Sequence, residues 1–486
     1  MEHAINSMQP VPGRHYGAFI NGQWIKTDKS FDVQNPAKQE RFAIMSNCGT
    51  AEAESALTAT VAAFSSWKNT TAAQRATLLK AWHAAIMAHQ EELALAISSE
   101  MGKPILEARG EVAYAAAYVE LYAEEATRVY GETFPSQHAH KRLFANRQPV
   151  GPVYAVTPWN FPAAMVTRKV APALAAGCTV IVKPAEQSPV TAVLLAALWE
   201  KVGGPAGTFQ VLTTDDPAGV SKVMFDSRAV RKLTFTGSTA VGRMLYQQSA
   251  GTIKKVSLEL GGHAPFIVFH DADIDRAVDE VMLCKFRNAG QTCVCTNRIY
   301  VQRSIAEAFA ARLTDRVKAL KVGDPADFDT QIGPLVDRAA VEKVQFHVLD
   351  AVSKGARVLV GGKAKSGLYF LPTVLTDVAA GMEIMQEETF GPVAPIVIFD
   401  NEDEVIALAN DTPYGLAAYL YTSNLSRAFR VSEKLEYGIV GINDGAPSTA
   451  QGPFGGIKDS GLGREGGKWG LEEFLDVRFV SIGLDR

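Results

Sequence analysis

The chain has 486 residues, 47% hydrophobic and 21% charged, with a formal net charge of −4. That length accommodates about three domains of 100–200 residues and a large core without staples. The ordinary composition and the lack of a basic excess exclude a nucleic acid or an anionic membrane as the expected partner. Residues 51–130 read as long amphipathic helices. From Gly151 to about residue 269, short β-branched runs at 153–156, 179–182, 209–212, 233–236 and 265–269 alternate with Ala-rich helical stretches such as 163–176 and 190–202. Such alternation predicts βαβ units and a parallel sheet, whose ligands bind beyond the carboxyl ends of its strands. The second half repeats the pattern, with strands at 298–301, 357–360 and 393–399 and helices at 305–320 and 341–353. A break near Gly261-Gly262 divides the two α/β regions. Residues 474–482 alternate like a strand, which must pair with something; an oligomer partner is one option.

Five cysteines, Cys48, Cys178, Cys284, Cys293 and Cys295, are too few and odd in number for a disulfide framework. No C-x-x-C pair or His cluster has metal-ligand spacing, so no metal is expected. The first twenty positions lack the apolar run of a secretory signal. The longest apolar run, 170–182, is too short for a bilayer and is broken by Thr179. A cytoplasmic, reducing location is the expectation.

Five segments carry possible chemistry. In Gly290-Gln291-Thr292-Cys293-Val294-Cys295 a thiol sits among Gly and polar residues, as in a loop that reaches a pocket; an inert buried cysteine is the alternative. In Leu258-Glu259-Leu260-Gly261-Gly262 a carboxylate lies in an apolar stretch. Burial there would raise its pKa and suit it to accept a proton, unless it faces water at a strand end. In Thr157-Pro158-Trp159-Asn160-Phe161-Pro162 the Asn amide could donate to a developing oxyanion or merely cap a turn. Lys183 and Glu186 follow a strand and could hold ribose hydroxyls. Phe235-Thr236-Gly237-Ser238-Thr239 turns from strand into helix, where N-terminal amides suit a phosphate. The G-x-G-x-x-G pattern at Gly461, Gly463 and Gly466 reads as a decoy, because no apolar strand precedes it.

Taken in order, PWNFP, KPAE, FTGSTAVG, LELGG, GQTC, EETFGP and PFGGIKDSGLGREGG resemble the aldehyde dehydrogenase superfamily over essentially the whole chain. The resemblance implies a Rossmann-like cofactor domain (1–130 and 151–261), an α/β catalytic domain (262–445) and a small β oligomerisation extension (131–150 and 471–486) that builds homodimers or homotetramers. It implies Cys293 as nucleophile and Glu259 as general base, with the Asn160 side chain and the Cys293 N–H as oxyanion donors. Trp159, Lys183, Glu186, Gly237, Ser238, Glu388 and Phe390 would form the site for NAD or NADP. Lys183 and Glu186 fall on the adenine ribose, Ser238 on the pyrophosphate, Glu388 and Phe390 on the nicotinamide ribose. A carboxylate at Glu186 would repel a 2′-phosphate, so NAD is the expected preference. An acylating relative that hands its thioester to CoA usually lacks the carboxylate at position 259, and a non-catalytic descendant would not need Cys293, Glu259 and Asn160 together.

Stretches around Arg168-Lys169, residues 285–295 and residues 436–443 are most similar to succinate-semialdehyde dehydrogenases. In that subfamily, arginines matching Arg168 and Arg287 bind the far carboxylate of the substrate, for which guanidinium forks are suited. Either could instead pair with a structural carboxylate. The substrate loop departs from the subfamily at Asp444-Gly445-Ala446-Pro447-Ser448, so Ser448 is the expected contact and glutarate semialdehyde or another ω-oxo acid stays open. Cys295, two residues from the nucleophile, is a possible redox partner for it, through a bridge that would be strained.

Overall fold

The apolar β-branched runs form the interior of an eight-stranded sheet in the computed structural model, which describes residues 10–485. The first nine positions of the expected cofactor segment and Arg486 of the expected extension lie outside the described residues. The strand order is Gly461–Leu462, Lys255–Glu259, Lys232–Thr236, Val153–Val156, Val180–Lys183, Phe209–Val211, Ala18–Ile20 and Gln23–Ile25. The middle five run parallel, and antiparallel strands close both edges. Val180–Lys183 and Lys232–Thr236 are buried at every residue; the first reads as an apolar run up to its final Lys, whereas the second alternates Lys and Thr with Leu and Phe.

Helices cover this sheet. Ala164–Ala176 is buried at all 13 positions and stops at Gly177, whose φ of 94° a residue with a Cβ rarely adopts. The region read as amphipathic helices holds four, Thr50–Trp67, Ala72–Ala88, Gln90–Met101 and Ile105–Glu125. Ala72–Ala88 starts from a capping box, with Thr71 and Gln74 each satisfying the other's backbone N–H.

A seven-stranded sheet follows, in the order Arg357–Val360, Thr373–Thr376, Val393–Phe399, Thr296–Gln302, Ala264–Val268, Ala417–Tyr421 and Ile439–Ile442. The run at 265–269, expected to continue the first alternation, is the interior strand Ala264–Val268 of this second sheet, beside its central strand Thr296–Gln302. The chain changes sheets between Glu259 and Ala264. The crossing passes so close to the 290–295 loop that a Cβ on Gly262 would lie 2.5 Å from the Cys293 carbonyl oxygen. Only glycine fits there.

The tail strand Leu475–Gly483 pairs antiparallel with Lys141–Pro149 along its whole length, and Glu132–Phe134 completes that small sheet. The tail's need for a partner is thus met on one side within the chain. Among the described residues no helix is long and apolar enough to cross a membrane.

Candidate active site

Cys293 stands where two cavities meet. Its loop is fixed by backbone that few sequences tolerate. Asn288 and Ala289 have φ of 52° and 55°, and Gly290 has φ of 76°. A Cβ on Gly290 would lie 2.2 Å from the Gly391 carbonyl oxygen, so glycine is required twice over. The Gln291 side chain pins the loop by accepting the Val336 N–H at 2.9 Å and donating to the Asn288 carbonyl at 3.1 Å. Cys293 is partly exposed, whereas the other four cysteines are buried. Its sulfur still sits deep enough for burial to push the thiol up to about 12.

Asn160 follows the strand Val153–Val156 and is buried, its Nδ2 donating to the Gln291 carbonyl at 3.0 Å. The expected oxyanion amide therefore touches the Cys293 loop. Glu259 ends the strand Lys255–Glu259, and both carboxylate oxygens are buried without a hydrogen-bond partner. Burial, then the neighbouring Glu465, holds it well above the usual carboxylate range. Its Oε1 lies against the PFGG segment, 2.8 Å from where a Cβ on Gly455 would be. Glu259 does not line either cavity that reaches Cys293.

The smaller cavity, about 280 Å³, is lined by Cys293, Arg168, Arg287, Ser448, Phe161 and Phe454 among others. The two arginines differ sharply. Arg168 is fully buried, lies over the Phe454 ring at 4.0 Å and is ion-paired with Glu465 at 2.7 Å. This ion pair is the structural partner considered above, yet Arg168 also lines the cavity and its Nε is buried without a hydrogen-bond partner. Lys169 meets the same carboxylate and donates to Thr236 Oγ1 at 2.6 Å. Arg287 lies over Phe161 at 5.6 Å. Its Nε, with Thr292 Oγ1 and Ser448 Oγ, is buried without a hydrogen-bond partner, and all three residues line this cavity.

The second cavity, about 390 Å³, joins Cys293 to Trp159, Asn160, Gly237, Ser238, Glu388 and Phe390. It continues through Trp159, Gly237 and Ser238 into a third, about 850 Å³, that reaches Lys183 and Glu186. Lys183 donates to Glu186 at 3.0 Å; although burial acts the other way, Lys183 draws the Glu186 carboxyl below its ordinary value. Ser238 caps the helix Thr239–Ser249 by accepting the Val241 N–H at 3.4 Å. Phe390 has φ of 55° and meets Trp159 edge-on at 5.6 Å. Glu388 accepts the Gly262 N–H at 3.2 Å, and burial pushes its carboxyl up to about 7. A basic-acidic pair at one end, a helix N-terminus between and an aromatic pair beside Cys293 suit a dinucleotide.

Cys293 and Cys295 are both free, and the buried Cys295 thiol donates to the Lys285 carbonyl at 3.5 Å. The redox pair considered above is thus unbridged, and Cys295 lines neither cavity that reaches Cys293. Among the described residues no group of three or more His, Cys, Asp or Glu is placed to hold a metal ion. Sequence reasoning missed Glu465, Lys169 and Lys343, the last of which donates to the Glu388 carbonyl at 2.6 Å. Glu465 lies inside the glycine pattern set aside as a decoy. That segment is the edge strand beside Glu259, with Gly461 opposite Glu259.

The chain belongs to the aldehyde dehydrogenase family, whose model matches residues 24–480, and it has that family's fold. It is an oxidoreductase acting on aldehydes with a nicotinamide dinucleotide. It is 52% identical to the succinate-semialdehyde dehydrogenase [NADP(+)] of Escherichia coli K12, covering 96% of this chain and 98% of that one. It is 50% identical to a glutarate-semialdehyde dehydrogenase of Pseudomonas putida, over 96% and 98%. An aldehyde dehydrogenase from Brucella melitensis biovar abortus 2308 superposes with a TM-score of 0.97 at 50% identity, each chain covered completely.

Proposed function

We propose that this enzyme oxidises an ω-oxo acid, succinate semialdehyde foremost, to the dicarboxylate. One observation carries the reading. Cys293 separates a dinucleotide-shaped cleft from a small cavity in which Arg287, Thr292 and Ser448 present polar atoms with nothing to bond. Buried polar groups without partners are costly, and a carboxylate would satisfy all three. The relatives named for succinate and glutarate semialdehydes support the same class. The departing loop at Ser448 keeps the five-carbon substrate as the second reading.

An aldehyde has no leaving group, so a nucleophile must first make a tetrahedral adduct from which hydride can depart. Cys293 forms that thiohemiacetal, and the Asn160 amide and Cys293 N–H stabilise its oxyanion. The bound dinucleotide supplies the hydride acceptor. Glu259 then takes a proton from water as it attacks the thioester, which releases the acid and frees the thiol. To do so its side chain must turn from the PFGG segment toward the sulfur.

Lys183 and Glu186 support NAD over NADP, since an ionised Glu186 accepts from ribose hydroxyls and repels a 2′-phosphate. The Escherichia coli relative is named for NADP(+), and the NAD preference proposed here rests on Lys183 and Glu186 alone. The tail strand exposes Val477, Phe479 and Ile482, which fits a homodimer or homotetramer, and five free cysteines fit a reducing cytoplasm. The test is kcat/KM for succinate semialdehyde, glutarate semialdehyde and butanal with each cofactor. The acids should exceed butanal by at least tenfold; equal values would overturn the substrate class.

A further inference from the structure

Lys103 and Glu111 form an ion pair that is 1% and 3% exposed, far in sequence from every motif above. Lys103 follows the left-handed cap Gly102, at φ 81°, after the helix Gln90–Met101. Glu111 lies in the second turn of the helix Ile105–Glu125. Each member has a second partner in one short stretch of backbone. Lys103 Nζ donates to the Asn160 carbonyl at 2.9 Å and sits 3.6 Å from the centre of the Phe161 ring. Glu111 Oε1 accepts the N–H groups of Ala163 and Ala164 at 2.9 and 3.3 Å. Asn288 Nδ2 reaches the same Asn160 carbonyl at 3.2 Å from the nucleophile's side.

We propose that the Lys103–Glu111 pair is a positioning device for the oxyanion amide, holding residues 160–164 so that the Asn160 side chain meets the Cys293 loop. The inference rests on the reading of Asn160 as an oxyanion donor. Residues 160–162 belong to no helix or strand, so no ladder of backbone bonds fixes them. The Phe161 carbonyl accepts the Met165 N–H at 2.9 Å, and beyond that backbone bond Lys103 and Glu111 grip residues 160–164 at both ends. A buried ion pair rarely adds net stability over apolar packing, but one whose remaining donors and acceptors are all engaged dictates geometry. Oxyanion stabilisation depends on donor placement, so a small drift of Asn160 slows chemistry without changing cofactor affinity.

The experiment is a double-mutant cycle on the full-length enzyme, read as the single-turnover rate of NADH formation and as the Kd of NAD. Lys103→Met alone strands a buried carboxylate and threatens folding, so Lys103→Met/Glu111→Gln, which removes both charges, is made beside it. The expected result is a slowing of roughly 10–100-fold in an otherwise wild-type background, with the Kd of NAD unchanged. In an Asn160→Ala background the same two changes should cost less than about twofold, because residues acting through one group are not additive. Equal slowing in both backgrounds, or none in either, overturns the inference and leaves the role of Asn160 standing. If Asn160→Ala is itself without effect, the oxyanion reading fails and takes the inference with it.

Discussion

Arg168 Nη2 lies 2.7 Å from Glu465 Oε2, and neither side chain reaches solvent. The two arginines of the substrate cavity therefore predict different phenotypes. Arg168→Ala strands Glu465 with only Lys169 beside it, and breaking a buried pair from one side costs about 3–5 kcal/mol. It should lower the melting temperature and depress activity on charged and uncharged aldehydes alike. Arg287→Ala should leave the melt unchanged and raise KM for succinate semialdehyde by roughly 10–150-fold, the worth of a charged hydrogen bond of about 1.5–3 kcal/mol. Butanal should change by less than about twofold. Steady-state kinetics with thermal melts distinguish the two, and identical profiles would show that neither arginine recognises the carboxylate.

Glu465 also bears on Glu259, the proposed base. After burial, its negative charge is the largest influence holding Glu259 in the protonated form. A base with a raised pKa loses activity as pH falls through that raised value. Glu465→Gln removes the opposing charge and releases Lys169 and Arg168 to favour the carboxylate. The acidic limb of kcat, measured where thioester hydrolysis limits turnover, should move to lower pH. A shift to higher pH would mean that Glu465 does not act on Glu259 through charge.

With its thiol at about 12, Cys293 in the unliganded enzyme is protonated throughout the neutral range. Only the thiolate alkylates. The rate of inactivation by iodoacetamide should thus rise about tenfold per pH unit between pH 7 and 9. The buried Cys48, Cys178, Cys284 and Cys295 should remain unlabelled by mass spectrometry. A rate that levels off below pH 8 would place the thiol far lower.

At the far end of the cleft, Glu186→Ser removes the carboxylate that Lys183 holds at 3.0 Å and leaves that lysine free for a phosphate. The ratio of kcat/KM for NADP to that for NAD should rise at least tenfold. An unchanged ratio would locate the discrimination elsewhere in the site.

Much of this was legible in the sequence. GQTC, LELGG and PWNFP mark Cys293, Glu259 and Asn160 because loops at strand ends need residues that the strands themselves do not. The parallel strands were legible because short β-branched and aromatic runs alternate with Ala-rich helical stretches. Glu465 was not legible, since a charged residue between glycines looks the same whether it faces water or two buried cations 296 and 297 positions earlier. Lys103, between two helices, and Glu111, within the second, were hidden for the same reason. Periodicity assigns charge to the solvent face, and only packing reveals the exceptions. The partition of Arg168 from Arg287 turns wholly on Glu465, and so it could not be read from their own surroundings in the chain.

The edge strand at Gly461–Leu462 carries a consequence for synthesis. Arg168 and Lys169 are made nearly 300 residues before their counter-charge Glu465 and the strand that flanks Glu259. Until the ribosome has delivered residues 461–465, the first sheet lacks its final edge and two cations have no buried anion to receive them. The N-terminal half must therefore wait, partly open, for a closing piece nearly 300 residues downstream, a delay that loop-closure entropy makes slow. Chains stalled on the ribosome at residue 455 should be cut by protease within the helix Ala164–Ala176, and chains stalled far enough beyond residue 465 for that residue to clear the exit tunnel should resist.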